Sequence, residues 1–204
     1  TLHGWCGHIP GLKVVTPSTP YAAKGLLLAS IADDAPTVFL EHRWLYKNTG
    51  DVPEELYTLP FGKARHLHHG DSLTVVAASL AAVQCLNTIR EHHLDVDLID
   101  PRTIKPLDVD TIVQSVERTG RLLVVDHDFP FAGFAAEVLA QVSERAFSAL
   151  QAPPQRLTFP DRGMPAAPVL ERRYYPEGDR LLAALRRALA GEPVQKGQLE
   201  VVEA

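Results

Sequence analysis

Apolar residues occur along the chain with two spacings, and these spacings predict its strands and helices. Short segments centred on apolar residues, typical of buried strands, occur at residues 13–15, 37–41, 72–79, 95–100, 121–128 and 155–159. Apolar residues at helical spacing follow from about Pro20 and over about 80–93, 107–118, 133–150 and 178–190. Alternating strands and helices predict an α/β fold with a mostly parallel sheet covered on both faces.

The first unit, residues 8–46, is a complete strand–helix–strand segment. Ser18 or Thr19 is suited to cap its helix, and Pro20 fits the first helical turn. Two apolar runs joined by a helix predict a parallel pair with a right-handed crossover. Because a parallel pair needs neighbouring strands and only TLHGWCG precedes this one, we expect further strands upstream or from another chain.

The remaining chain divides into a linker, a second domain and a tail. Residues 42–62 hold three tight-turn signals, NTGD, VPEE and LPFG, and no sustained periodicity, which is typical of a linker or a long surface loop. After Gly191 no core pattern continues, so we expect the tail to fray. The predicted organisation is 1–46, a 47–70 linker, a small α/β domain over 71–191 and a flexible tail over 192–204.

Composition narrows the class of protein. The 204 residues are 46% hydrophobic and 22% charged, which suits a globular core. The net charge of -5 is dispersed, which argues against a nucleic-acid or anionic-membrane surface. Cys6 and Cys85 form no CxxC pair, so we expect free thiols in a reducing compartment. No apolar run reaches the roughly 18–20 residues that span a bilayer, so we expect no membrane segment. The chain starts with Thr1 rather than Met, so we do not take this as the translation start.

Histidines cluster at two places. In HLHHG, His66 and His68 would share one face of a strand, and with His69 they are candidate ligands for a transition metal. A turn beside Gly70 follows and no Cys lies nearby in the sequence, so we favour a solvated loop. His92 and His93 end a predicted helix, where a positive charge suits the terminal carbonyls, so we interpret them as capping residues.

Polar residues also follow two of the predicted strands. Asp126, His127 and Asp128 lie at a carboxyl end, where open α/β sheets usually place their sites, and an Asp-oriented His127 is a candidate general base. The pattern offers no nucleophile, so a subunit contact is the favoured interpretation. Arg102 and Lys105 follow another strand, and we interpret them as turn residues, with Arg102 anchoring a loop.

The end of the first helix, in LASIADDAP, presents oxygen atoms that suit a cation. Its last four carbonyls have no intrahelical partner, and such oxygens together with the helix dipole suit a hard cation. Most helix ends are satisfied by water or by capping, and we expect Asp33 and Asp34 to face solvent.

Five stretches together carry a family resemblance that runs in unbroken order from residue 1 to about residue 190. They are HIPGLKVVTPSTPYAAKGLL, IADDAPTVFLEHRWLY, VPEELYTLPFGKA, VDLIDPRTIKPLD and GRLLVVDHDFPFAGFAAEV. In these stretches the chain resembles the beta subunit of thiamine-diphosphate-dependent 2-oxoacid dehydrogenases, the pyruvate and branched-chain type. The resemblance implies the closing part of a transketolase-type pyrimidine-binding domain, followed by a whole transketolase C-terminal domain.

The resemblance also implies an activity and partners. With an alpha subunit, such a protein decarboxylates a 2-oxoacid on thiamine diphosphate and reductively acylates a lipoyl group; magnesium and the diphosphate motif belong to the alpha subunit. Two alpha and two beta chains form a heterotetramer that docks onto a lipoyl acyltransferase core. The family's cofactor-activating glutamate and substrate-facing histidine lie upstream of Thr1, and neither His3 nor His8 matches that histidine. We therefore assign no catalytic or cofactor-binding residue here and expect this chain alone to be inactive.

Two further features come from the resemblance. It implies a structural potassium site formed by main-chain oxygens at Ser30, Ile31, Asp33 and Ala35, where Ala35 replaces the usual Asn. The remaining ligands would lie upstream, so we expect weak potassium binding. The stretch DHDFPFAGFAAEV corresponds to a contact region, and Ala132, in place of a more common glycine, is expected to alter how closely the following helix approaches its neighbour.

Other functions stay open. A split transketolase and an acetoin-cleaving relative share the C-terminal fold, and a non-catalytic assembly module is a further alternative. The 2-oxoacid is not fixed by these residues. A bacterial cytoplasm is the expected location, and a mitochondrial matrix stays open.

Overall fold

The structure is a computed structural model that describes residues 2–194. Within this part of the chain the strands are β1 Lys13–Val15, β2 Thr37–Phe39, β3 Arg65–His68, β4 Thr74–Ala77, β5 Asp97–Asp100, β6 Thr103–Lys105, β7 Leu122–Val125 and β8 Gln155–Leu157. The α-helices are α1 His3–His8, α2 Pro20–Ala32, α3 Ser79–Glu91, α4 Val109–Thr119, α5 Phe134–Ala146, α6 Pro168–Tyr174 and α7 Gly178–Ala190.

The strands form two sheets. The larger sheet has the order β3-β5-β4-β7-β8, in which only β3 is antiparallel to its neighbour among the described strands. The smaller sheet has the order β2-β1-β6, with β1 and β2 parallel and β6 antiparallel to β1. The predicted α/β class and the mostly parallel sheet are therefore confirmed, as is the parallel pair in the first unit.

The core lies on both faces of the larger sheet. Leu123 and Val125 of β7 point to the face covered by α3 and α7. Leu122 and Val124 point to the face covered by α4 and α5. Because a strand alternates its side chains, burial on both faces requires a continuous apolar run, which is why LLVV was recognisable in the sequence.

Capping residues fix two of the helix ends. The Thr19 hydroxyl accepts a hydrogen bond from the Ala22 N–H (3.1 Å), so Thr19 is the N-cap of α2. Ser18 instead donates its hydroxyl to the buried carboxylate of Asp100. Helix α4 ends at Gly120, whose φ of 68° lies in the left-handed region that glycine adopts most readily.

Several elements were not predicted. They are α1, a short 3₁₀ helix at Arg43–Lys47 inside the expected linker, strands β3 and β6, and α6. Each is three to seven residues long and lacks the apolar run or the helical spacing by which the other elements were predicted. Their formation depends on contacts with distant parts of the chain.

Two expectations about composition can be compared with the structure. Cys6 and Cys85 are both free thiols, as predicted. No helix among residues 2–194 combines the length and apolar character needed to cross a bilayer. Of the predicted tail, 192–204, residues 195–204 lie outside the described residues.

Candidate functional site between the two sheets

A buried polar cluster lies where β7 ends and α1 packs against the larger sheet. The Nε2 atom of His3 lies 2.8 Å from Asp126 Oδ1 and 3.6 Å from Asp128 Oδ2. The Gly4 N–H donates to Asp128 Oδ2 (3.2 Å), and the Ala135 N–H at the start of α5 donates to Asp126 Oδ2 (3.2 Å). These two carboxylates therefore hold α1 and α5 together at the carboxyl edge of the sheet.

Burial and charge act in opposite directions on His3. Burial alone lowers the pKa of His3, but the charge of Asp126, its hydrogen bond, and the charge of Asp128 outweigh burial, so the pKa is raised. His127 has no comparable compensation, and burial lowers its pKa to about 3. His127 is therefore neutral near neutral pH, whereas His3 keeps its proton to a higher pH than an ordinary histidine.

His127 is surrounded by aromatic rings. It stacks on Phe159 at a centroid distance of 5.6 Å, and it meets Tyr175 edge to face at 5.0 Å. His42 and Trp44, from the first part of the chain, extend this cluster, with Trp44 4.6 Å from Tyr175. The aromatic packing connects the segment after β2 to the C-terminal part of the chain.

A small cavity of about 60 Å³ lies within this cluster. Its lining includes the buried hydroxyls of Thr16 and Ser79, for which no hydrogen-bond partner exists among the described residues. Ser79 also has a φ of 53°, which is uncommon for a residue with a side chain. Ligand pockets usually measure roughly 300–1,000 Å³, so this cavity has room for water molecules and not for an organic cofactor.

The geometry favours the contact interpretation of the motif over a general base at His127. The histidine that Asp126 hydrogen-bonds is His3, which lies 123 residues away in the sequence. A pKa of about 3 also makes His127 a poor proton acceptor near neutral pH. Sequence reasoning missed His3 because no local pattern links two residues so far apart.

The turn interpretation of Arg102 is confirmed. Its guanidinium donates to the Lys63 carbonyl through Nε (3.0 Å) and an Nη atom (2.6 Å), and its φ is 58°. Lys105 has a different position from the one expected, because it belongs to β6. Its ammonium donates to the carbonyls of Gly7 (2.9 Å) and Ile9 (3.1 Å) at the end of α1.

The four candidate potassium ligands lie at the end of α2. Ser30 and Ile31 are in its last turn, Asp33 is the C-cap and Ala35 follows two residues later. The Ser30 hydroxyl donates to the Leu26 carbonyl (2.8 Å), so it stays within the helix.

The sequence suggested that Asp33 faces solvent, but its carboxylate is bound by other groups of the protein. Its Oδ1 accepts the Ala35 N–H (2.8 Å), and its Oδ2 pairs with the Lys13 ammonium on β1. The Lys13 hydrogen bond, followed by that of Ala35, lowers the pKa of Asp33. The neighbouring Asp34 is exposed, as expected. Both oxygens of the Asp33 carboxylate are therefore engaged by the protein itself.

The preference for a solvated loop at HLHHG was wrong. His66 and His68 belong to β3, and Asp97 from β5 lies beside them: its Oδ1 is 2.8 Å from His66 Nδ1 and 3.7 Å from His69 Nδ1. A carboxylate is thus supplied by a residue about 30 positions later, which strand pairing alone brings close.

His92 and His93 lie at the end of α3, as predicted, and they contact its last carbonyls through their main-chain N–H groups. His92 is the C-cap of α3, and its N–H donates to the Thr88 carbonyl (3.1 Å). The His93 N–H donates to the Arg90 carbonyl (3.4 Å). These bonds satisfy carbonyls that the helix itself leaves without partners.

Comparisons with known proteins agree with this architecture. Three curated relatives are similar to the chain over most of its length. The acetoin:2,6-dichlorophenolindophenol oxidoreductase subunit beta of Cupriavidus necator is 42% identical over 187 residues, 90% of this chain and 55% of that protein. The pyruvate dehydrogenase E1 component subunit beta of Rickettsia felis is 40% identical over 183 residues, which are 88% of this chain and 56% of that protein. The 2-oxoisovalerate dehydrogenase subunit beta of Bacillus subtilis is 39% identical over 182 residues, which are 87% of this chain and 56% of that protein.

The chain therefore spans a little over half the length of these curated relatives. A solved structure titled split gene transketolase, inactive beta4 tetramer, has a TM-score of 0.77, covering 94% of this chain and 62% of that one at 17% identity, and shows the fold alone. Residues 2–49 match the transketolase pyrimidine binding domain, and residues 62–181 match the transketolase C-terminal domain. Because the second match covers more than half of the 204 residues, the chain belongs to the transketolase C-terminal domain family.

Proposed function

We propose that this chain forms the carboxyl-terminal part of the beta subunit of a thiamine-diphosphate-dependent 2-oxoacid dehydrogenase. The observation that carries the proposal is the pair of domain matches in unbroken order, together with identities of about 40% to subunits that bear such names. The intact enzyme would decarboxylate a 2-oxoacid and reductively acylate a lipoyl group, with an alpha subunit completing the site.

Thiamine diphosphate supplies the carbanion chemistry in such an enzyme. The cavity beside His3 and His127 measures only about 60 Å³ and is too small to hold this cofactor. In the proposal, this chain contributes by positioning the parts of the enzyme: Asp126 and Asp128 fix α1 against the larger sheet.

A potassium ion at the end of α2 belongs to the same proposal. Main-chain oxygens at Ser30, Ile31, Asp33 and Ala35 are the donors that fit a hard cation, and the carbonyls in the last helical turn have no intrahelical partner. The Asp33 carboxylate does not fit as a ligand, because Lys13 and the Ala35 N–H already engage it.

An acetoin-cleaving enzyme is the second candidate. It is favoured by one specific observation: two relatives named acetoin:2,6-dichlorophenolindophenol oxidoreductase subunit beta are 42% and 39% identical over 187 and 196 residues. The two candidate enzymes share the fold and differ in the substrate that they cleave.

The deciding experiment uses the beta subunit as it occurs in its native source, with its intact mass determined, and combined with its alpha subunit. Turnover is measured with pyruvate, branched-chain 2-oxoacids and acetoin, with a lipoyl acceptor and with an artificial electron acceptor. The proposal predicts lipoyl-dependent turnover of a 2-oxoacid. Turnover of acetoin alone would select the second candidate, and no turnover with any substrate would contradict both.

The proposed partners can be tested separately. The alpha subunit, a second beta chain and the acyltransferase core should each be retained by the tagged beta subunit in a pull-down. Retention without turnover in the assembled complex would identify a non-catalytic assembly module. Failure to retain any of them would contradict the proposed heterotetramer and its docking.

A further inference from the structure

Asp97, the first residue of β5, has a buried carboxylate whose two oxygens contact different partners. Its side chain has no exposed surface. Its Oδ2 accepts from the Ser115 hydroxyl (2.5 Å) and from an Nη atom of Arg118 (2.5 Å), both on α4. Its Oδ1 faces only His66 and His69 among the described hydrogen-bonding and ion-pair partners. The first oxygen is therefore fixed by the protein interior, and the second is directed toward two imidazoles.

The local fold brings the two imidazoles to one side. A shift in the register of β3 against β5 between His66 and His68 interrupts the strand alternation. His66 and His69 stack with centroids 5.0 Å apart, and both direct Nδ1 toward Asp97. His68 turns away and lies with Nδ1 2.7 Å from the Val96 carbonyl oxygen.

The charges around the cluster favour a cation. Asp71 and Asp97 both pair with Arg118, and Asp95 accepts the Asp71 N–H (2.9 Å), so three carboxylates and one arginine lie around the cluster. Of the two carboxylate oxygens of Asp97, Arg118 contacts Oδ2. It therefore orients the carboxylate from behind without occupying the oxygen that faces the imidazoles.

We propose that His66, His69 and Asp97 form a surface binding site for Zn²⁺, with the Nδ1 atoms of the two histidines and Oδ1 of Asp97 as ligands. Three protein ligands leave a fourth tetrahedral position for water or for a group from another molecule. The site lies at the amino end of β4 and β5, where Thr74 pairs with Asp97, whereas the His3 cluster lies at the carboxyl end of β7.

The distances fit this metal. Zinc bonds of about 2.0–2.2 Å at a tetrahedral angle place neighbouring N and O ligand atoms roughly 3.3 Å apart. The two observed separations, 2.8 Å and 3.7 Å, lie on either side of that value. A movement of about half an ångström by each exposed imidazole would bring both into range, and His69 is 79% exposed and His66 31% exposed. Ser115 and Arg118 provide the outer hydrogen bonds that hold a ligating carboxylate in place.

The test measures Zn²⁺ binding to the full metal-free chain by competition with a chromophoric chelator, and Co²⁺ absorption as a geometric readout. We expect one tight site per chain and the intense visible bands of four-coordinate Co²⁺. His66→Gln and His69→Gln should each weaken binding roughly tenfold or more and remove these bands. Circular dichroism checks that each variant is folded, and the 79% exposure of His69 makes its variant the safest in this respect.

His68→Gln is the matched control, because it lies between the two proposed ligands but belongs to another contact. It should bind Zn²⁺ as the wild type does. Ser115→Ala should weaken binding less than the ligand variants. Wild-type affinity equal to that of His69→Gln, or an equal loss in His68→Gln, would overturn the proposal and leave only nonspecific binding by surface histidines.

Discussion

At the scale of single residues, the environment of each polar side chain decides what it can do. Asp126 and Asp97 are both buried carboxylates beside histidines. Asp126 holds a histidine that is itself buried, so the pair has a structural role between the sheets. Asp97 faces histidines that are open to solvent, so a solute ion can reach the site. This difference between the two sites is not visible in the sequence, because burial arises only on folding.

The first prediction concerns pH and His3. Its pKa is raised in the folded protein, so the folded state binds more protons and its free energy of unfolding falls as pH rises from about 6.5 through the folded pKa. Below about 6.5 the contribution is fully present. His3→Gln should remove this fall and lower stability at acidic pH by about 1–3 kcal/mol. Denaturant unfolding at a series of pH values measures both effects.

The control for this experiment is His8→Gln, at an exposed position on the same short helix. It should leave the pH profile unchanged. The charged or titratable groups facing His3 are Asp126, Asp128 and His127. If His3→Gln retained the wild-type slope above pH 6.5, His3 would not be the group responsible for it.

The second prediction concerns Ala132. The sequence suggested that this alanine changes how closely α5 approaches its neighbour, but the close approach is at Gly133, where an added Cβ would lie 2.2 Å from the Phe129 carbonyl oxygen. Ala132 is exposed and has a φ of 52°. Ala132→Gly should therefore raise the free energy of unfolding by up to about 1 kcal/mol, since the relief of left-handed backbone strain exceeds the cost of the added unfolded-state entropy.

Ala140→Gly is the comparison for Ala132→Gly. It lies at an exposed position inside α5, so the same change should there lower stability by about 1 kcal/mol. Chemical denaturation of both variants gives the two signs. Equal destabilisation by both would show that the backbone strain at position 132 has no energetic weight.

At the scale of elements, the end of α2 places the Lys13 ammonium beside the proposed potassium site. The Lys13 ammonium already neutralises Asp33, so a potassium ion held by nearby main-chain oxygens would feel repulsion from it. Weak binding was expected because the remaining ligands would lie upstream, and this repulsion adds a second reason for it. The side-chain pair was absent from the sequence interpretation because Lys13 is on β1, 20 residues before Asp33.

The third prediction follows from this competition. Lys13→Met should increase the stabilisation by potassium, measured as the rise in Tm between sodium and potassium buffers of equal ionic strength. The variant removes one positive charge and frees one Asp33 oxygen, and it replaces the ammonium that lies over the Phe61 ring with an unbranched apolar side chain. Arg90→Met on α3 serves as the charge-matched control. A potassium effect identical in all three proteins would contradict a site at this helix end.

At the scale of the whole molecule, β6 connects the two sheets. It follows β5 of the larger sheet along the chain, yet it pairs with β1 of the smaller one. Thr103 on β6 is fully buried; its hydroxyl donates to the Pro106 carbonyl (2.7 Å) and accepts from the Gly62 N–H (3.0 Å). The two parts therefore share hydrogen bonds and should unfold together.

The fourth prediction tests this coupling with two probes. Both tryptophans, Trp5 and Trp44, lie in the first 49 residues, so their fluorescence reports on the first part, whereas far-UV circular dichroism reports mainly on the larger second part. The two thermal transitions should coincide. Thr103→Val should move both midpoints down together, by about 2–4 °C for each kcal/mol of an expected loss of about 1–3 kcal/mol.

Thr88→Val, at a partly exposed position in α3 whose side chain makes no hydrogen bond to another described residue, is the control. It should change neither midpoint appreciably. A tryptophan transition well below that of circular dichroism would show that the first part unfolds on its own.

The predicted boundaries at 46, 70 and 191 stay predictions, and β6 shows why they are difficult to infer from sequence. A linker is read from turn residues and weak periodicity, and both are local properties. Pairing between β1 and β6 joins Val14 to Lys105, which are 91 positions apart. No local pattern indicates this pairing, so the sequence does not show that a strand from the second part joins the sheet of the first part.

The sequence by itself determined the α/β class, the long helices and the strands β4, β5 and β7, because burial on both faces of a sheet demands apolar runs that are visible locally. The tertiary structure alone decided which polar residues meet. Asp126 with His3, and Asp97 with His66 and His69, are pairs of residues distant in sequence. Strand pairing and helix packing bring them together, and hydrophobic periodicity records which face is buried but not which polar group lies opposite.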